Sequence, residues 1–497
     1  MSTTIISHWT ASSDLHTFQS IIERMYASSD RLVSTDSGLT DDICTVLSSA
    51  KSHENSVECV RSSLFRQFEA WGCGTRTTAL WTCLFYRTIC DLVESGMHRR
   101  TVNALIEIVM ECCAEKLKEV HKPVEKLLFG ELCSSLAHGV PDWDLLVDVC
   151  TSGNKRLESC QVSPDFLREN VMVQFEQSSQ SSEVVPGFLI RSDELISGPR
   201  QVVLVAGDVK EDYCHIGYKG IVKEGSVTTA ESFSRETTLP WKERLVMSLK
   251  KLGVQIILST GICEHDFVNT GIIVVSGIQY DTLDVLARNH NVDLLPSVDF
   301  TQPSDVITLK FGNFSEHFVC LDSELPGKQN TILIRRPVKC DAMKRYKSFV
   351  SRVFNALEGK SVIPGAGKTE SLCSNMVKSS SVSESDIKRY NLTSHSADVH
   401  IWYSIVAQKL SDIFCQVSAL TDRNVNDNLF DPDSDSFDYL TSNLCLDEVS
   451  ACGTVSISLD VNVFDEPSSK LGAWKTAFET AMILSSVSLT LLPKSSD

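Results

Sequence analysis

The sequence predicts an α+β multidomain protein in which a helical domain is split by an inserted α/β domain. Three observations carry this: apolar residues recur at helical spacing before about residue 145, they do so again after about residue 340, and β-branched runs crowd the stretch between. At 497 residues, with 42% apolar and 22% charged content, the chain can bury the cores of two or three domains.

Taken in order, residues 79–93 (ALWTCLFYRTICDLV) are apolar almost all round, as a helix in the centre of a domain would be. Leu105, Ile108, Val109, Cys112 and Leu117 follow at near-helical spacing. Short strands are then predicted at 202–205, 255–258, 271–275, 306–309 and 331–334, with a helical stretch at 283–287 among them. Helices return with the i, i+3, i+4, i+7 stripe of Tyr346, Phe349, Val350, Val353, Phe354 and Leu357, and with a second stripe at Trp474, Ala477, Phe478, Ala481 and Met482. Residues 378–386 (KSSSVSESD) and the acidic stretch 422–438 read as loops, since neither holds enough apolar residues for a core.

The net charge of −18 argues against a nucleic-acid or anionic-membrane surface, which would show basic patches. The opening residues, MSTTIISHWTASSDLHTF, lack the basic segment and apolar core of a secretory signal, and no stretch stays apolar for the ~20 residues of a membrane helix. A cytoplasmic protein without membrane insertion is expected. The eighteen cysteines are scattered without any C-x-x-C pair and read as small buried apolar residues.

Several motifs fail on spacing or chemistry. Gly365-Ala366-Gly367-Lys368-Thr369 ends like a phosphate-binding loop, but the required earlier glycine is Val362, and the preceding element reads as a helix ending near Leu357 instead of a strand. Asp431, Asp433 and Asp435 match the start of a calcium loop, yet its sixth and twelfth positions are Ser436 and Ser442. No H-E-x-x-H or G-x-S-x-G pattern supports a hydrolase.

The ordered set of landmarks resembles the group II chaperonin (t-complex polypeptide) family. Gly72-Cys73-Gly74-Thr75-Arg76-Thr77-Thr78 is similar to its glycine-aspartate-glycine-threonine-threonine loop. Asp341-Ala342-Met343 and Pro364-Gly365-Ala366-Gly367-Lys368-Thr369-Glu370 resemble the next two landmarks, and Phe464-Asp465-Glu466-Pro467 with Ala473-Trp474 resembles the C-terminal one. Tyr26-Ala27-Ser28-Ser29-Asp30-Arg31-Leu32 and Val185-Pro186-Gly187-Phe188-Leu189-Ile190 resemble one divergent branch of that family, the McKusick-Kaufman/Bardet-Biedl syndrome chaperonin-like branch.

The resemblance implies a chaperonin-like subunit with an equatorial domain (1–146 and 365–497), an intermediate domain (147–186 and 337–364) and an apical domain (187–336). It also implies a degenerate nucleotide site at Gly72, Cys73, Gly74, Thr75, Asp30, Gly365, Gly367 and Asp465. Cys73 replaces the magnesium-holding aspartate with a ligand unsuited to a hard cation. Ala27 and Asp30 replace glycines of the first phosphate turn, and Asp30 would repel a triphosphate. Arg76 is the one change that would attract phosphate.

Asp341 is either the remnant water-orienting carboxylate or a helix-start residue favoured by the helix dipole. Gly365 and Gly367 serve phosphate or packing, and Asp465 is a nucleotide-side residue or a solvated one. The polar span 209–241, interrupted by Pro240, argues against a long lid helix. The implied function is a chaperonin-like assembly factor without effective ATPase, and therefore not an enzyme. It would retain at most residual ATP or ADP binding and no metal. Its implied partners are the cytosolic chaperonin and related divergent subunits, with BBSome subunits as clients at the centrosome or basal body. An ATP-dependent ring-forming folding subunit is the alternative, and a P-loop NTPase a more distant one.

Overall fold

The computed structural model describes residues 4–5, 22, 33–35, 38–40, 43–49, 55–151, 162–192, 194–211, 240–264, 267, 269–315, 317–322, 330–336, 342–392, 396–427 and 463–488. The chain forms two compact units, one made of 1–164, 177–179 and 336–497, the other of 165–176 and 180–335. The β-rich unit is thus an insertion in a unit built from both chain ends.

The helical unit begins with three short strands, β1 (Thr4–Ile5), β2 (Val33–Thr35) and β3 (Gly38–Thr40). There follow α1 (Ile43–Ser49), α2 (Asn55–Trp71), α3 (Thr75–Glu94), α4 (Arg99–Val120), β4 (Lys122–Pro123), α5 (Phe129–Leu136) and α6 (Asp144–Thr151). The inserted unit contributes α7 (Pro164–Asn170), β5 (Val171–Gln177), β6 (Glu183–Pro186), β7 (Phe188–Arg191), β8 (Gly198–Val205), α8 (Trp241–Lys251), β9 (Ile256–Ser259), β10 (Ile273–Val275), α9 (Tyr280–His290), β11 (Ile307–Asn313), β12 (Phe318–Asp322) and β13 (Asn330–Arg336). The helical unit resumes with α10 (Ala342–Gly359), β14 (Ser361–Pro364), α11 (Lys368–Ser379), α12 (Glu384–Arg389), α13 (Ser396–Asp427), β15 (Phe464–Asp465) and α14 (Pro467–Ser488).

The all-round apolar character of 79–93 has a direct cause. Helix α3 is enclosed by α2, α4, α13 and α14, so Ala79, Leu80, Trp81, Leu84, Phe85, Ile89 and Leu92 are all buried. Trp81 packs its ring 5.2 Å from Phe85, 4.8 Å from Phe414 and 5.4 Å from Trp474, so one aromatic cluster joins residues from both chain ends. Such rings combine large buried area with offset or edge contacts.

In the inserted unit a six-stranded sheet runs β10-β9-β8-β11-β12-β7, with β8, β9 and β10 parallel and the rest antiparallel. Val202 and Leu204 face one core with Leu283 and Leu286 of α9, while Val203 and Val205 face another with Trp241, Leu245 and Leu249 of α8. Burial on both faces is why these strands are continuous apolar runs instead of alternating ones. The strand at 331–334 lies in a second sheet, β5-β13-β6. There Arg335, only 9% exposed, reaches Glu176 of β5 and Glu183 of β6 at 2.6 Å each, so one guanidinium ties all three strands.

Three sequence readings are corrected. Residues 384–386, expected in a loop, open α12, because Ser383 accepts from the Asp386 N–H while its own N–H donates to the Asp386 carboxylate. This is a capping box, which overrides the low apolar content. The acidic stretch from 422 begins as helix, since α13 continues to Asp427. A strand, β14, does precede Gly365, paired with β4 and β15. Residues 212–239 of the lid span, the calcium-loop aspartates, Asp30 and Asp341 lie outside the described residues. Among the described residues no helix is long and apolar enough to cross a membrane.

Candidate functional site

Gly72, Cys73 and Gly74 form the joint between α2 and α3, and left-handed backbone at both glycines makes so short a joint possible. Gly72 (φ 65°) ends α2 with its N–H donating to Phe68 O at 2.7 Å, and a Cβ there would collide with Ser351 Oγ of α10. Gly74 (φ 85°) opens α3, and a Cβ would stand 2.8 Å from Gln67 Nε2. Both sites therefore need glycine for backbone conformation and for close approach. Buried Gln67 donates to Cys73 O at 3.2 Å and to Ser469 O at 3.1 Å, and Asn355 Nδ2 donates to Trp71 O at 2.9 Å. The turn is thus held from α2, α10 and α14 together.

Cys73 is 4% exposed, and burial pushes its thiol up to about 11 against the opposing pull of the Arg352 guanidinium. At neutral pH the sulfur keeps its proton, and a protonated thiol is neither nucleophile nor metal ligand. Thr75 begins α3, whose cap Gly74 supplies no side-chain hydrogen bond; Thr78 Oγ1 donates back to Gly74 O at 3.1 Å. The first-turn N–H groups of such a helix favour anions.

Gly365 and Gly367 sit where β14 turns into α11. A Cβ at Gly367 (φ 78°) would lie 2.7 Å from Ser418 O on α13, and one at Gly365 would lie 3.0 Å from the Phe464 backbone. Packing alone therefore accounts for both glycines. Asp465 is not a solvated loop residue, since its strand pairs with β14 and its carboxylate meets Lys470 Nζ at 2.6 Å.

Lys470 is 9% exposed and also reaches Glu370 at 2.8 Å, itself 1% exposed, so one ammonium lies between two carboxylates. Burial works to raise the Asp465 pKa, but Lys470, then His138, draw it below the usual carboxylate range. His138 Nε2 lies 2.7 Å from Phe464 O, to which it donates, and 3.5 Å from Asp465. Desolvation, then the charge of Arg352, lowers its pKa to about 4, so the imidazole is neutral at pH 7. Arg352 donates to Leu136 O at 2.9 Å and Ala137 O at 3.2 Å.

Sequence reasoning named Glu370 only within a landmark and passed over Lys470, His138, Arg352, Gln67 and Asn355. Lys470 alone left a signal: it stands one turn before Trp474 on the apolar stripe of α14, where a charge must be paired. The others come from segments far apart in sequence, which no local pattern connects.

At the turn Cys73 is a buried neutral thiol; of the two carboxylates whose charges act on it, Glu466 accepts from the Ser468 and Ser469 N–H groups at 2.7 and 2.6 Å, and Asp465 is engaged by Lys470. Among the described residues no group of three or more His, Cys, Asp or Glu is placed to share a metal ion.

No family model and no curated protein matches the chain by sequence. Among solved structures it is similar to a group III chaperonin in the open state, with a TM-score of 0.53 and 15% identity over 95% of this chain and 97% of that one. The chain therefore has a chaperonin-like fold, in a mixed helix-and-sheet architecture that accommodates nearly the full length of both proteins.

Proposed function

We propose that this chain is a chaperonin-like assembly factor that holds partly folded clients and runs no effective ATPase cycle, closest to the McKusick-Kaufman/Bardet-Biedl syndrome chaperonin-like protein. The observation that carries the reading is Cys73, a buried and protonated thiol in the turn where the resembled family places its magnesium-holding aspartate. Losing one group that stabilises a transition state costs on the order of 10²–10³ in rate for an oxyanion-hole donor and 10³–10⁵ for an arginine finger in phosphoryl transfer. The amino end of α3 with Arg76 supports residual ATP or ADP binding without turnover. Asp341 is the retained candidate for orienting water.

The fold likeness supports a chaperone role, and the landmark segments support the assignment of partners: the cytosolic chaperonin and related divergent subunits, with BBSome subunits as clients at the centrosome or basal body. Purified, folded protein is expected to suppress aggregation of a denatured client equally with and without magnesium and ATP, and to release no phosphate above background. Turnover abolished by Asp341→Ala would assign the ring-forming folding subunit instead. Affinity purification from ciliated cells followed by mass spectrometry is expected to recover cytosolic chaperonin and BBSome subunits together, and their absence would remove the client assignment.

A further inference from the structure

We draw no further inference here: the strongest candidate, the exposed apolar face of α2 at Phe65 and Phe68, carries no proposal, since nothing in the structure shows what covers it.

Discussion

At the scale of single residues, the candidate site is governed by protons that are held or refused. Cys73 keeps its proton, so native protein treated with iodoacetamide at pH 7.5 is expected to leave the Cys73 peptide unmodified, and urea-unfolded protein to modify it; mass spectrometry of the digests reads the difference. His138 refuses a proton. Its pKa is lowered from 6.5 to about 4 in the folded state, so between these values the unfolded chain binds a proton that the folded chain does not. Stability is therefore full above pH 6.5 and falls as pH drops towards 4. With 30% of the side chain exposed, the loss should be on the order of 1 kcal/mol. Urea midpoints at pH 7 and pH 4.5 for wild type and His138→Gln check this, with a smaller pH-dependent change expected in the variant.

At the scale of elements, Lys470 joins α14 to β15 and α11 by two contacts in a nearly closed environment. Lys470→Met should destabilise the protein by about 3–5 kcal/mol, because it leaves two carboxylates without their cation, and adding Glu370→Gln should restore part of the loss. Denaturant unfolding of both variants measures it. The elements differ in how far the sequence announced them. Helix α3 and the strands β8 and β9 were legible because burial on all sides writes an unbroken apolar run. Helix α12 was not, since it rests on a cap and not on an apolar face. The glycines at 72, 74, 365 and 367 were legible as residues, but their packing against Ser351, Gln67, Phe464 and Ser418 is set by tertiary contact and leaves no trace in local spacing.

At the scale of the molecule, the inserted unit has its own two sheets and its own cores, so residues 162–336 expressed alone are expected to unfold cooperatively on heating, as followed by circular dichroism. The helical unit has no such independence. Helix α3 packs most extensively against α14, and more than 370 residues separate Glu94 from Pro467. At roughly 5–20 residues per second of synthesis, the apolar surface of α3 leaves the ribosome roughly 20–75 s before its partner exists. The inserted unit can complete itself during that interval, while the nascent amino-terminal helices stay uncovered and prone to aggregate. Throughout its own translation this chaperonin-like chain is in the position of a protein that needs one.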